Sequence, residues 1–465
     1  MRRYRYAGIA LVVAGCGSEP VGINGPLPPA IPSVAVVPNL HNVLSAMVSA
    51  RAVRADSVAV RFRRADEAPG TESVTPPVPA TGDVVTIPVL GLLPDRRYVV
   101  HAVAYGEGGT VAGDPLHLTT GSLPPDLPRY SAGGTDPSPG YVVFAAGRYG
   151  LVIDNTGRVV WYRHFPDGAG LNFMAQPTGR YVLRPPTPVL GDTEPWVELD
   201  VLGNVTRTLR CAAGLQSRPH DIILEPDGSF RLLCDETRTM DLTAHGGVAN
   251  ARVTGTVVQH ISATGELLFQ WSPFDHFEIT DLDAADRSGA SVNWTHGNAL
   301  DVDTDGNLLL SFRSLGEITK IDARTGAVIW RLGGRRNQFA LHDTATPAFA
   351  RQHSVRACAP GTLVLLDNVG DPTASKAERY VIDEASRTAR LVHSYGSASR
   401  VVTEIGGSVQ TLTDGRTLVS FGTAGRVEEY DVSGHLTWRI EGNPGYVFRA
   451  QRIRSLYAPG VGTSR

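Results

Sequence analysis

Lysine is nearly absent from this chain: only Lys320 and Lys376 are lysines among its 43 lysine and arginine residues. This scarcity leaves little room for Schiff-base or Ser–Lys catalysis, and any group that binds an anion is expected to be arginine or histidine. An excess of basic charge is missing as well, since the formal net charge is −3. A chain without a basic field is not expected to bind DNA or RNA.

No apolar run long enough to cross a bilayer opens the chain. Three arginines within the first five residues precede the apolar segment 7–14, which has the length of a signal-peptide core. This segment runs into Val13-Ala14-Gly15-Cys16, which resembles the lipobox of bacterial lipoproteins, where the cysteine thiol accepts the lipid. We predict a signal peptide over 1–16 and a lipid on Cys16. Ser18 then favours the outer membrane, at its periplasmic face or at the cell surface; an ordinary signal peptide that ends near a cysteine is the alternative.

Cysteine is scarce: the chain has four, and besides Cys16 an odd number remains, namely Cys211, Cys234 and Cys358. In the oxidising compartment that export implies, one disulfide can form, and we expect it between Cys211 and Cys234. Cys358 is expected to be a small core residue.

Turn-forming residues are abundant, with 50 glycines and 32 prolines among 465 residues. Together with short apolar segments they predict an all-β protein. A proline-rich tether over 17–32 leads into alternating segments over 33–121. These include Leu92-Leu93-Pro94-Asp95-Arg96-Arg97-Tyr98, which resembles the tyrosine corner of a fibronectin type III sandwich. We interpret this region as a spacer or docking domain, followed by a linker over 122–140.

A repeat over 141–465 is the strongest structural signal. A turn followed by a tryptophan or an apolar strand recurs near residues 154, 200, 264, 325 and 431, with a degenerate copy at 383–389. A second glycine-containing turn alternates with it, at 178, 227, 305, 360 and 414. The pattern predicts six four-stranded blades of a β-propeller, closed by segment 445–457 pairing into the first blade. A β-sandwich with accidental periodicity is the alternative.

Three histidines occupy the same position in successive repeats. His220, His296 and His353 each stand 8 to 10 residues before a glycine-containing turn. They are therefore expected at the start of the inner strands, at one mouth of the channel. Counting back from the turns places Asn298 opposite Arg313, Asp235 opposite His220 and Asn368 opposite His353, provided that no bulge shifts the register.

Two metal signals are set aside. The segment Asp301-x-Asp303-x-Asp305-Gly306 resembles the start of an EF-hand loop, but position 12 is Phe312, so we interpret it as a solvated turn. Three histidines could bind zinc, yet an obligate cation such as Arg313 beside a divalent metal is unfavourable, and guanidinium fits a tetrahedral oxyanion. We expect neither a metal nor a cofactor.

These motifs together resemble the arylsulfate sulfotransferase family over roughly residues 125–460. The resemblance is carried by Trp294-Thr295-His296-Gly297-Asn298, Arg313, Gln352-His353 and the closing segment Phe448-Arg449-Ala450-x-Arg452-x-x-Ser455-Leu456-Tyr457.

The resemblance implies transfer of a sulfuryl group from an aryl sulfate ester to a phenol, by ping-pong kinetics and through a sulfohistidine. It implies His353 as nucleophile, with His220, His296, Asn298 and Arg313 as oxyanion-binding and proton-handling groups; the roles of His220 and His296 could be exchanged. Trp294, Phe274 and Tyr395 are candidates for contacts with the substrate ring. The alternative function is a surface-anchored propeller that binds a sulfated or anionic ligand without turnover.

Overall fold

The structure is a computed structural model that describes residues 25–186, 195–345 and 347–460. The predicted signal peptide and Cys16 lie outside the described residues. The described residues form strands and five one-turn 3-10 helices, which confirms the all-β prediction. The 3-10 helices are Thr243–His245, Pro273–Asp275, Ile279–Asp281, Arg313–Leu315 and Gly422–Ala424. None of the helices in this part of the chain is long and apolar enough to cross a membrane.

The N-terminal region is a sandwich of two antiparallel sheets. One sheet has the order β1-β2-β6, and the other has the order β4-β3-β7-β8, with β5 beside β3 and β9 beside β7. Its strands are β1 (Ala30–Pro38), β2 (Ser45–Val53), β3 (Ser57–Arg64), β4 (Ser73–Val74), β5 (Val78–Pro79), β6 (Val84–Leu90), β7 (Arg97–Gly106), β8 (Gly109–Ala112) and β9 (Leu116–Thr119). The Tyr98 hydroxyl accepts the Leu93 N–H at 2.7 Å, the contact that a tyrosine corner makes. The likeness to fibronectin type III domains stays a prediction.

Six further sheets follow, one for each predicted blade. The linker strand β10 (Ala132–Gly133) pairs with the outer edge of blade 6. Blade 1 contains β11 (Tyr141–Ala146), β12 (Tyr149–Ile153) and β13 (Val159–His164). Blade 2 contains β14 (Met174–Ala175), β15 (Tyr181–Leu183), β16 (Trp196–Leu199) and β17 (Val205–Leu209). Blade 3 contains β18 (Gln216–Leu224), β19 (Phe230–Met240), β20 (Ala251–Ile261) and β21 (Leu267–Trp271), with β22 (Ser291–Asn293) beside β20. Blade 4 contains β23 (Gly297–Val302), β24 (Leu308–Phe312), β25 (Glu317–Ile321) and β26 (Val328–Gly333). Blade 5 contains β28 (His353–Ala359), β29 (Thr362–Asp367), β30 (Lys376–Asp383) and β31 (Thr388–Gly396), with β27 (Ala340–His342) beside β31. Blade 6 contains β32 (Ser408–Thr411), β33 (Thr417–Ser420), β34 (Val427–Tyr430) and β35 (Leu436–Ile440).

The end of the chain closes the ring, as predicted. Strand β36 (Ala450–Ile453) pairs antiparallel with β11 and forms the inner strand of blade 1. The first and last strands of the propeller therefore lie in one sheet, and the six-bladed prediction is confirmed.

The repeated turns have a common local cause. The Asp154 carboxylate accepts the N–H groups of Thr156 and Arg158, and Asp431 does the same for the residues two and four positions after it. Gly157 completes its turn with φ of 89°, a conformation that favours glycine. Because each blade contains such a capped turn, the recurrence of the turn along the sequence marks the blades.

The sandwich packs against the propeller beside the closure. The Val43 N–H donates to the Tyr162 hydroxyl at 3.2 Å, in blade 1. The Leu90 N–H donates to the hydroxyl of Tyr457 at 3.1 Å, just after the closing strand. The N-terminal domain therefore contacts both ends of the propeller chain.

The predicted disulfide between Cys211 and Cys234 is present. Cys358 is half-buried and packs against an apolar cluster of blades 5 and 6, so its assignment to the core holds only in part.

Candidate active site

Three histidines from successive blades lie close together, on either side of the Phe448 ring. His220 lies in β18, His296 immediately precedes β23, and His353 opens β28. The ring centroids of His220 and His296 are 5.3 Å apart. The Phe448 ring lies edge-on to His220 at 5.7 Å and to His353 at 6.0 Å. The structure thus brings together the side chains that the repeat singled out, while their catalytic roles stay predictions.

The imidazole of His353 is oriented by Asn368. His353 Nδ1 lies 2.8 Å from Asn368 Oδ1, and the Asn368 amide nitrogen donates to the carbonyls of Thr403 and Gly406, each at 2.9 Å. Because both amide hydrogens are used in this way, the amide oxygen faces the ring and accepts a hydrogen bond from Nδ1–H. The lone pair of neutral His353 therefore lies on Nε2.

Burial keeps His353 uncharged. The side chain is 2% exposed. Burial lowers the pKa of His353 to about 4; the guanidiniums of Arg313 and Arg449 act in the same direction, and hydrogen bonds with Asn368 and the Arg351 backbone oppose them. At neutral pH the ring is therefore an unprotonated potential nucleophile.

His296 is fixed by its backbone and by Asn293. It adopts φ of 47°, which is costly for a residue other than glycine and is typical of functional sites. Asn293 Nδ2 donates to His296 Nδ1 at 2.7 Å, so the proton of the neutral ring lies on Nε2. Burial lowers the pKa of His296 to about 2, with Arg218, Arg313 and His353 adding to the effect. His296 is therefore placed as a neutral hydrogen-bond donor.

The segment that carries His296 is fastened to blade 3. Thr295 Oγ1 accepts the N–H of Thr256, and Thr256 Oγ1 accepts the N–H of Gly297, both at 2.8 Å. A Cβ atom at position 297 would lie 2.6 Å from the Thr256 methyl group. The glycine after His296 is therefore required by close packing between two blades.

His220 has a ring nitrogen without a partner. Its Nδ1 is buried and makes no hydrogen bond to the residues that the structure describes. Burial lowers the pKa of His220 well below its usual value, and Arg218, the other two histidines and Arg449 contribute further. A neutral imidazole whose nitrogen has no protein partner can accept a proton from a substrate hydroxyl.

Arg313 reaches the histidines from the turn after β24. Its N–H donates to the carbonyl of His296 at 3.0 Å, and its Nη2 donates to the Glu404 carbonyl at 3.2 Å. Burial lowers the pKa of Arg313 and the neighbouring Arg351 lowers it further, while Glu404 opposes them. Two nearby guanidiniums favour an anion between them.

The predicted pairing of Asn298 with Arg313 is wrong. Strands β23 and β24 are offset by one residue from the predicted register already at the turn, where Val302 pairs with Leu308. A bulge at Asn298 adds a second residue of offset, so that Gly297 pairs with Phe312. The fully buried side chain of Asn298 donates from Nδ2 to the Gln352 carbonyl at 2.8 Å. Asn298 therefore contacts the segment that carries His353.

A larger bulge displaces the predicted partner of His220. Asp235 pairs with Gln216, because the register shifts after Ser217. Its carboxylate accepts a hydrogen bond from Arg218 Nη1 at 2.5 Å. The prediction that Asp235 lies opposite His220 is therefore wrong.

The third predicted pair is correct as a contact and wrong in its register. His353 pairs with Leu366 across the hairpin, because the two strands shift between His353 and Arg356. The side chains of His353 and Asn368 nevertheless meet at 2.8 Å.

Two of the three aromatic contacts predicted for the substrate ring are corrected. Trp294 is 1% exposed and Tyr395 is 2% exposed, so both are core residues. Phe274 is half-buried, packs against Trp294 at 5.0 Å, and stays a candidate. The rings beside the histidines are Phe448 and, 6.5 Å from it, the partly exposed Tyr446. The sequence alone does not show which face of a strand an aromatic side chain lies on. An aromatic residue next to a site motif can therefore be mistaken for a substrate contact when it is a core residue.

Sequence reasoning also missed groups from the other blades. Asn172 and Arg449 stand just before β14 and β36, as His296 stands just before β23. Both reach the backbone of His220. Extending the repeat comparison to all six blades would have found them.

The segment set aside as an EF-hand-like loop is a hairpin turn, as predicted. The Lys320 ammonium lies 2.7 Å from Asp303 and from Asp305, and 2.6 Å from Glu384 of blade 5. These three carboxylates are the one group among the described residues with a spacing suited to a metal ion. The lysine occupies the position that a cation would take.

Comparisons with known structures give distant likenesses. One similar structure is a protein of unknown function from Bacteroides caccae, at 13% identity and a TM-score of 0.44, with the match covering 68% of this chain and 100% of that chain. Another is virginiamycin B lyase from Staphylococcus aureus, at 9% identity and a TM-score of 0.38, covering 66% and 88%. A fibronectin domain of human contactin 1 covers 25% of this chain and 99% of that domain, at 17% identity and a TM-score of 0.18. No curated protein matches the sequence significantly.

The propeller region gives a specific match. A family model described as arylsulfotransferase (ASST) matches residues 135–452, which include all six blades and the three histidines. The protein therefore belongs to the arylsulfotransferase family.

Proposed function

We propose that the protein transfers a sulfuryl group from an aryl sulfate ester to a phenol through a covalent sulfohistidine on His353. The observation that carries the proposal is the hydrogen bond between His353 and Asn368, which leaves the lone pair of a buried, neutral imidazole on Nε2. The family match supports sulfotransfer to aryl acceptors.

In the first half-reaction, His353 Nε2 attacks sulfur and forms an N–S bond. The bond between sulfur and the aryl oxygen breaks, and its electron pair leaves with the phenolate. The Nδ1 proton stays on the ring, where Asn368 Oδ1 supports the positive charge of the sulfated imidazole.

In the second half-reaction, an acceptor phenol replaces the phenolate. His220 accepts the hydroxyl proton, the phenol oxygen attacks sulfur, and the N–S bond breaks to restore neutral His353. His220 suits this role because its ring is neutral and Nδ1 lacks a protein partner. Its proton is then released to a leaving phenolate or to solvent, so the cycle balances.

Charge on the sulfuryl oxygens is met by groups that are already in place. Arg313 supplies a fixed cation, and His296 supplies Nε2–H because Asn293 fixes its tautomer. Donors that need no reorganisation stabilise a developing oxyanion most. Asn298 acts through the backbone of Gln352, next to the nucleophile.

The test is incubation with 4-nitrophenyl sulfate, with and without phenol. Nitrophenol release that depends on phenol, with formation of phenyl sulfate, is expected. His353→Asn, which keeps a polar group of similar size, should remove both. Release without an acceptor would indicate a sulfatase, and tight binding without release would favour the ligand-binding propeller.

A further inference from the structure

Arg449 joins the closing strand to the histidine site. It immediately precedes β36 and is 4% exposed. Its Nε donates to Asn172 Oδ1 at 3.0 Å, and its Nη2 donates to the backbone carbonyl of His220 at 3.3 Å. The same Nη2 lies 3.3 Å from the Asp221 carboxylate. A buried guanidinium with these partners is held in one place.

Asn172 completes a clamp around His220. Its Nδ2 donates to the His220 carbonyl at 2.5 Å, while its Oδ1 accepts from Arg449. The strand around His220 is bulged and leaves the regular ladder between Ser217 and Ile222. Bonds from blade 2 and from the closing strand therefore hold the backbone where the sheet does not.

Asp221 extends the clamp to two further blades. Its Oδ2 accepts from Arg356 Nη2 of blade 5 at 2.7 Å and from the Leu300 N–H of blade 4 at 3.1 Å. The residue that follows His220 is thus anchored to neighbours across the channel. His220 cannot move without breaking contacts to several blades.

We propose that Arg449 is a positioning residue, which fixes His220 beside the other two histidines and makes the site complete only when the last strand has closed the ring. The proposal rests on the proposed function for the step that His220 performs, but its geometry does not depend on that step. Arg449 can make these contacts only when β36, the strand that follows it, has paired with blade 1.

The charge of Arg449 has a second, measurable consequence. The groups facing His220 are Arg218 on its own strand, His296 and His353 from the next blades, and Arg449 from the closing strand. Arg449 lowers the pKa of both His220 and His353, in addition to the larger effect of burial. Removing its charge should therefore raise both pKa values.

The experiment compares three variants of the full chain. Arg449→Met removes the guanidinium, and Asn172→Ala removes the Asn172 bonds to Arg449 and to the His220 carbonyl while keeping the charge. Gln451→Ala is the matched control, because Gln451 also ties the closing strand to blade 2, through the Ala175 N–H at 2.9 Å. Sulfuryl transfer is measured below the melting temperatures of all variants, and histidine pKa values are measured by NMR on histidine-labelled protein.

We expect kcat to fall about 10²-fold in Arg449→Met and about tenfold in Asn172→Ala, with little change in KM, as for a misplaced catalytic group. The His220 and His353 pKa values should rise in Arg449→Met, and Gln451→Ala should retain wild-type kcat and pKa values. If Arg449→Met does not fold, Asn172→Ala still tests the clamp through kcat and the His220 chemical shift.

A His220 chemical shift that stays unchanged in both Arg449→Met and Asn172→Ala, or equal losses of kcat in Asn172→Ala and Gln451→Ala, would overturn the proposal. The NMR measurement does not require turnover. A protein that shows the expected histidine shifts but transfers no sulfuryl group would refute the proposed function and leave the positioning role intact.

Discussion

At the scale of single residues, Arg313 tests whether geometry or charge binds the sulfuryl group. Arg313→Lys keeps a cation but loses the two parallel N–H donors of guanidinium. We expect kcat to fall roughly 10²- to 10³-fold, with the melting temperature almost unchanged. Kinetics and thermal unfolding on the same sample provide the measurement.

Arg335→Lys serves as the control, because Arg335 is exposed and pairs with Asp283. Near-normal activity of Arg313→Lys with a destabilised fold would remove Arg313 from the site.

The buried nucleophile also fixes the acid limit of activity. His353 must be neutral to attack, and its pKa is lowered to about 4. kcat/KM for the donor should therefore stay constant as pH falls through 6.5 and decline only near pH 4. A pH profile on protein verified as folded at each pH gives the measurement.

The control for that profile is Glu404→Gln, which removes an exposed carboxylate near Arg313 and should leave the limit in place. A decline centred near pH 6.5 would mean that His353 behaves as an ordinary exposed histidine, against the burial described here.

At the scale of elements, Lys320 joins blades 4 and 5. Its ammonium is 3% exposed among Asp303, Asp305 and Glu384. Lys320→Met leaves these carboxylates without their cation and should lower the free energy of unfolding by about 3 kcal/mol. Lys376→Met, which removes the second lysine and a more exposed pair with Asp371, should lower it much less.

Denaturant unfolding measures both values. Equal losses for the two lysines would show that the buried cluster contributes no more than a surface pair.

Sequence prediction succeeded for the elements that local chemistry defines. Turns capped by Asp154 and its equivalents repeat in every blade, so the six blades were predictable. Register within the inner strands could not be predicted, because bulges at Asn298 and after Ser217 shift it, and the groups that bond to these segments lie in other blades. The contact of Asn368 with His353 was predicted correctly although the strand register is shifted, because the Asn368 side chain still reaches the His353 ring.

At the scale of the whole molecule, the candidate active site combines side chains from separate blades with side chains from the closing segment. His220, His296 and His353 come from three successive blades, while Phe448 and Arg449 come from the chain end. The sequence identified the three histidines because they occupy the same position in successive repeats. The contacts of Phe448 and Arg449 could not be predicted in this way, because tertiary packing decides which side chains lie beside the closing strand.

The central claim is a covalent intermediate on His353, and mass spectrometry tests it most directly. After rapid quench with 4-nitrophenyl sulfate, the intact mass should rise by one SO₃ group, about 80 Da, as expected for nucleophilic catalysis. Peptide mapping should place the group on His353, phenol should discharge it, and His353→Asn should not acquire it. A label on His220 or His296, or turnover without any label, would contradict the account.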